Sequence, residues 1–396
     1  MPLLSRPLTL LLCSTLTVMA AATITPTLSA IAAHFAGTPH AELLTRLVLT
    51  LPALVIVLVA PLAGRACDAH GRRPVLLFGL ALYVLGGSLG AVAPSLTLLL
   101  ASRAVLGVGI GCLMTASTTM IADGSRDAEQ ARLLGLQGAF MAGGGVVFVF
   151  AGGLAAEIHW RAAFGIYLLA LLLLPAILRL PESRPERSAE GDALRAAPPS
   201  RLLRQVGGLC VLAFLGMALF YLMPVYMPFL LNERFGASSG WVGAAMALFN
   251  IAATVAGTLF GRVRGRVPPL GMVTITAGLL GLGYAVVSHA TSVPLFMAGL
   301  LLAGFGLGFM IPNLNQWAVN RSETALRGRA LGWMTTALFL GQFASPLLAQ
   351  PVAVALGYGG LYGAAAAVLG AGALAAALAV SASWRSSQRL RSRPPP

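Results

Sequence analysis

Apolar runs and short polar gaps alternate along the whole chain. Twelve runs of roughly 19–27 residues can be counted, each long enough to cross a bilayer as a helix. They cover 7–33, 43–63, 74–93, 96–122, 134–156, 162–180, 206–230, 238–260, 270–289, 293–318, 330–355 and 360–383. One gap is long: segment 181–205, PESRPERSAEGDALRAAPPSRLLRQ, whose Pro, Ser and charge content reads as a flexible linker. The pattern predicts an all-α membrane protein with 12 transmembrane helices. Residues 1–180 form one six-helix bundle and 206–384 a second, with a cytoplasmic linker at 181–205 and a cytoplasmic tail at 385–396. The first run needs care, because Arg6, an apolar stretch and small residues resemble a signal peptide. It continues to about Ala33, which is long enough to span, and it is read as an uncleaved first helix.

The two predicted bundles match each other at one offset. Gly107-Val-Gly109-Ile-Gly111 answers to Gly304-Phe-Gly306-Leu-Gly308, 197 residues later. Gly64-Arg65 answers to Gly261-Arg262, and Arg132-Leu-Leu-Gly135 to Arg329-Ala-Leu-Gly332, at the same spacing. Two similar apolar halves imply a pseudo-symmetric pair of bundles around a central cavity. Such duplication is the sequence mark of a transporter whose site lies between the halves near the bilayer midplane.

Composition sharpens the picture. Hydrophobic residues make up 58% and charged residues 10%, against about 25% charged in soluble domains, so the chain cannot cover a water-facing surface. The net charge of +14 raises the question of nucleic acid. All 26 basic residues are Arg, however, and they collect in alternate gaps. One side holds 22 of them; the other holds Arg46, Arg161 and Arg234, and Arg103 falls inside the fourth span. That bias is the positive-inside pattern, which puts both termini in the cytoplasm of a plasma (bacterial inner) membrane. With no separate basic domain, nucleic acid is excluded as a partner. Cys13, Cys67, Cys112 and Cys210 suggest neither disulfides nor a metal site, and no cofactor is implied.

The loop after the second span reads Gly64-Arg-Ala-Cys-Asp68-Ala-His-Gly71-Arg72-Arg73. It resembles the G-x-x-x-D-R-x-G-R-R loop of the major facilitator superfamily. Arg103-Ala-Val-Leu-Gly107-Val-Gly109 resembles that family's R-x-x-x-G-x-G segment in span 4, and Trp160-Arg161-Ala-Ala-Phe164 its W-R-x-x-F opening of span 6. Helix count, half-length and loop placement fit the same family over nearly the whole chain, with its drug and metabolite exporters as the nearer branch. The resemblance implies a latch between the halves on the cytoplasmic side. Gly64 and Gly71 would allow the tight turn. Asp68 would sit against the start of span 11, where a helix dipole favours an anion. Arg72, beside Arg73, would bridge towards Asp123. Two departures matter: position 69 is Ala where the family has a basic residue, and the second-half copy has Gly265 where an Asp would fall.

Arg103 is the most telling single residue, because a charge inside a membrane span is expensive and defaults to function. It reads either as a receptor for an anionic group or proton-coupling partner, or as a structural donor to helix carbonyls. In this family spans 1, 4, 7 and 10 line the cavity. Here they offer Thr23, Thr25, Met114, Tyr221, Tyr226, Asn313, Asn315 and Gln316, with Gln137, Asn250 and Gln342 from neighbouring spans. Aromatics, Met and amides suit a mainly apolar small molecule. The exporter branch carries G-P-x-x-G-G in span 5. Gly152-Gly153 are present, preceded by Phe148-Val149. No Asp or Glu lies midway along spans 1, 7 or 10, so no proton carrier is evident. Gly86-Gly-Ser88-Leu-Gly90 has the G-x-S-x-G spacing of a hydrolase elbow, but it lies inside a span and reads as helix packing.

The expectation is therefore a secondary active transporter, not an enzyme. It would export amphipathic small molecules by alternating access, coupled to protons, as a monomer in the lipid bilayer. The alternatives are a carrier of organic anions, metabolites or siderophore-like chelators using Arg103, and a non-transporting membrane sensor.

Overall fold

A computed structural model of the chain describes residues 5–123, 127–182, 199–323 and 326–391. Described elements are helical, and no strand occurs among them. The helices in chain order are α1 (Arg6–His34), α2 (Ala41–His70), α3 (Arg72–Val92), α4 (Leu96–Asp123), α5 (Asp127–Ile158) and α6 (Ala162–Ile177). Then come α7 (Pro199–Phe220 continued by Leu222–Phe235), α8 (Ser239–Arg264), α9 (Pro269–His289) and α10 (Val293–Arg321). The last stretch, Arg327–Arg391, is broken at Gly357 (φ 69°, ψ 175°), which divides it into α11 (327–356) and α12 (358–391). Among the described residues, ten helices are long and apolar enough to cross a membrane. Counting the Gly357 break and the shorter apolar α6 gives the twelve spans predicted.

The differences from the predicted spans have local causes. α2 runs on to His70 and ends only where Gly71 takes φ 92°, a backbone state that a Cβ would strain. Gly64 therefore lies inside the helix with open space around it, and the turn rests on Gly71 alone. α7 starts at Pro199 rather than 206, because the linker's last residues are good helix formers preceded by a proline suited to a first turn. α12 continues through Arg391, well into the predicted tail. α1 loosens into a 3-10 turn at Thr25–Thr27, around Pro26. α7 is interrupted at Tyr221, three residues before Pro224. Proline removes one backbone donor and crowds the preceding turn, so both breaks fall beside it.

Glycine contacts make the repeat three-dimensional. A Cβ at Gly107 would lie 2.7 Å from the Val55 Cβ and 3.0 Å from the Pro52 oxygen on α2, and one at Gly111 would meet Val59. A Cβ at Gly109 would point the other way, 2.5 Å from the Tyr83 nitrogen on α3. The second half repeats this at the 197-residue offset. Gly304 faces Phe249 and Ala252 on α8, Gly308 faces Ala253 and Ala256, and a Cβ at Gly306 would come 2.7 Å from the Leu280 nitrogen on α9. Each Gly-x-Gly-x-Gly run thus presses one helix between two others. In lipid, where apolar surface alone does not drive association, close backbone approach supplies the packing.

By contact, the chain forms two compact units: Met1–Arg201 with Cys210–Ala247 and Thr335–Pro351, and Leu202–Leu209 with Leu248–Met334 and Val352–Pro396. The first unit therefore includes most of α7, the start of α8 and part of α11 beside α1–α6.

Candidate functional site

Arg103 projects from the second turn of α4 and is 1% exposed. Its Nη2 donates to the Gly86 and Gly87 carbonyl oxygens of α3 at 2.7 and 2.9 Å, and its Nη1 to the Tyr167 hydroxyl of α6 at 3.2 Å. Nε lies 3.4 Å from Ser102 Oγ. The guanidinium also sits over the Phe164 and Tyr167 rings at 4.9 and 5.3 Å. The Tyr167 hydroxyl in turn donates a hydrogen bond to the Ala20 oxygen of α1 at 2.6 Å. Tyr83 does the same to Leu16 at 2.8 Å. Four helices thus meet at one joint. The Gly86-Gly-Ser-Leu-Gly90 stretch is its socket: a Cβ at Gly87 would collide with the Tyr167 ring, and one at Gly90 with the Phe164 ring. This links two of the family-like segments, since Phe164 closes Trp160-Arg161-x-x-Phe164. Arg161 itself donates to the Ala93 oxygen at 3.0 Å and stacks on Trp160.

The other predicted ligand residues do not share that joint. Gln137 on α5 is buried and donates to Ser14 Oγ on α1 at 2.7 Å and to Thr118 on α4 at 3.1 Å. Thr23 is buried at the α1 break, with its hydroxyl unbonded, and Gly152 packs directly against its carbonyl. Thr25 bonds back to Ala21, as a helical threonine commonly does. Met114 is half-buried on α4. On α7, Tyr221 is buried and Tyr226 donates to the Pro346 oxygen of α11 at 3.2 Å. Gln342 is buried on α11. In the second unit, Asn313 is buried and donates to the Pro269 oxygen at 3.1 Å with its own oxygen unbonded. Asn250 and Asn315 are half-buried, and Gln316 is exposed.

Of the latch residues, Asp68 is exposed at the end of α2, Arg72 is buried at the start of α3 and Arg73 is half-buried. The side chain of Asp123 lies outside the described residues, so its pairing with Arg72 stays an expectation.

Sequence reasoning missed Arg46. Its position at the start of the predicted 43–63 run, on the arginine-poor side, suggested a topology-setting charge. In the structure it lies in the second turn of α2, 0% exposed. It donates to Gln350 of α11 and, at 3.2 Å, to Glu42 one turn back. Its guanidinium lies 4.6 Å from the Tyr226 ring and 5.0 Å from the Phe229 ring of α7. The available signal was the i, i+4 Glu42–Arg46 pair opening an apolar run. Among the described residues no group of His, Cys, Asp and Glu could hold a metal.

Comparison with known proteins agrees with the architecture. The chain is 30% identical to the tetracycline resistance protein, class G, of Vibrio anguillarum over 315 residues, covering 76% of this chain and 78% of that protein. It is 28% identical to the multidrug resistance protein MdtL of Shigella dysenteriae over 253 residues, 62% of this chain and 64% of that one. The fold superposes on a D-xylose-proton symporter with TM-score 0.74 at 18% identity, covering 93% and 95% of the two chains. It also superposes on the unoccupied, inward-facing bacterial homologue of the lysosomal transporter Spinster, with TM-score 0.73 at 15% identity and 98% coverage of both. The profile of the Major Facilitator Superfamily matches residues 10–346. The chain belongs to that superfamily and is a multi-pass membrane transporter rather than an enzyme.

Proposed function

We propose that this transporter is a proton-coupled exporter of amphipathic small molecules, embedded in a bacterial inner membrane with both termini cytoplasmic. The observation that carries the reading is the likeness to a tetracycline resistance protein over three quarters of the chain. The buried amides, hydroxyls and aromatics of α1, α4, α5 and α7 suit such cargo, because they offer few hydrogen bonds within apolar walls. The organic-anion alternative would need Arg103 to leave its carbonyl and hydroxyl acceptors. Each is a charge-assisted bond in an apolar site, so Arg103 is better read as the pin of the joint. The residues 1–180 and 206–384 act as the two moving halves, as the repeat implies. Asp68, Gly71, Arg72 and Arg73 latch them on the arginine-rich side.

The test is proton flux in proteoliposomes carrying an internal pH-sensitive dye, challenged with ethidium, tetracycline or benzoate. Ethidium or tetracycline should evoke proton movement; a response to benzoate alone would replace the exporter with an anion carrier. In the same assay Asp68→Asn should leave expression near normal and cut turnover by about tenfold or more, the effect of losing one charge-assisted contact at a helix end. Undiminished turnover would remove Asp68 from the gate.

A further inference from the structure

The arginine-poor end of the first unit is closed by two polar clamps, centred on Arg46 and Glu157, which belong neither to the family-like motifs nor to the ligand residues. The first is Arg46. It joins α2 to α11 through Gln350 and lays its guanidinium against the Tyr226 and Phe229 rings of α7. Tyr226 in turn donates to Pro346 of α11, so three helices from both sequence halves meet around one buried cation. The second is Glu157, in the last turn of α5. Its Oε1 accepts from the backbone nitrogen of Gly240 at 2.6 Å, in the first turn of α8. A carboxylate at a helix N-terminus satisfies an otherwise unpaired donor and meets the positive end of the helix dipole. The helices can approach so closely because Gly153 faces Gly243 below this contact: a Cβ on either would lie 3.1 Å from the other's Cα.

We propose that Arg46 and Glu157 are gating residues: together they lock the arginine-poor end and must release once in each transport cycle. The inference rests on the transporter reading and adds a second gate at the opposite end from the Asp68 latch. The chemistry suits a reversible lock. Glu157 is exposed, and water can replace its bonds from the Gly240 nitrogen and the Ser238 side chain when the helices part. Arg46 keeps Glu42, one turn back on its own helix, as a partner when Gln350 withdraws. Neither charge is therefore stranded in an apolar site by opening, which would otherwise make opening prohibitive.

The experiment places a reporter beneath the lock. Thr50, one turn further along α2, is buried. Thr50→Cys, in a chain whose four native cysteines are replaced by serine, is labelled in intact cells with a membrane-impermeant maleimide. Gly37→Cys, in the exposed gap between α1 and α2, is the control for sidedness. Labelling at position 50 should be slow and should accelerate about tenfold or more with Glu157→Ala or Arg46→Met, as expected when a closed state loses a charge-assisted bond. Because Arg46→Met removes a buried charge and can fail to fold, a cross-link gives an independent arm. A Glu157→Cys, Gly240→Cys pair, oxidised, should stop ethidium-driven proton flux, and reductant should restore it. Unchanged labelling in Glu157→Ala together with full flux in the cross-linked pair would overturn the lock. A wild type silent to every compound, with labelling still accelerated by Glu157→Ala, would sustain the lock and retire the export reading.

Discussion

Arg103→Ala is expected to cost the protein its stability before it costs any affinity for substrate. The guanidinium holds two carbonyl oxygens of α3 and a hydroxyl of α6, and lies against two aromatic faces. Hydrogen bonds to charged groups contribute about 1.5–3 kcal/mol each. They do not add, because one side chain makes them all and its own desolvation opposes them. Leaving a buried acceptor without its donor costs about 1–3 kcal/mol, and the alanine also leaves a cavity under Phe164. That is a large share of a stability of about 5–15 kcal/mol. Thermal unfolding in detergent, followed by monodispersity on a sizing column, should therefore show Arg103→Ala melting far below wild type or failing to purify. Arg103→Lys should recover only part of the loss, since an ammonium cannot reach two carbonyls and a hydroxyl in one planar fork. Tyr167→Phe should cost less, about 1 kcal/mol for one hydroxyl. An Arg103→Ala protein that melts like wild type but shows a raised KM for carboxylates alone would reverse the argument and make the residue a receptor.

The two possible meanings of Arg103 show where sequence reading stops. An arginine inside an apolar run announces that something unusual happens there, and the fourth span, its neighbours and its depth were all legible. Its partners were not. They are two backbone carbonyls of α3, which carry no residue-type signal, and a tyrosine 64 positions away. The socket was visible only as a run of small residues at Gly86–Gly90, whose use as a seat for Tyr167 and Phe164 depends on α6 lying across α3. Arg46 was hidden for the opposite reason. At the edge of a run it looked like one of many charges that set topology, and only the approach of α7 and α11 buries it. The spans, by contrast, follow from composition and length, which need no knowledge of neighbours. Their ends moved where backbone chemistry decided, at Gly71, Gly357 and Pro199.

The Gly-x-Gly-x-Gly runs were the clearest sequence signal, and they support the other large prediction. Gly109→Val and Gly306→Val should each destabilise strongly, and by similar amounts. A Cβ at either position would come within 2.5 or 2.7 Å of a backbone nitrogen on the facing helix, at Tyr83 or Leu280. Backbone cannot rotate aside as a side chain can, so α3 and α4, or α9 and α10, must separate. Overpacking of this kind costs about 1–3 kcal/mol and more where the obstacle is rigid. Separation of α3 from α4 would also stretch the Arg103 bonds to Gly86 and Gly87, so Gly109→Val should interact with Arg103→Lys rather than add to it. Gly138→Ala is the control. It lies in α5 with nothing within 4 Å of its would-be Cβ. That change should be neutral or gain up to about 1 kcal/mol from helix propensity. Melting temperatures of the purified variants decide the matter. Equal losses at 109 and 306, with none at 138, are what two copies of one packing scheme require. A tolerated Gly306→Val beside an unfolded Gly109→Val would mean that the second half keeps the repeat in its sequence while no longer depending on it for packing.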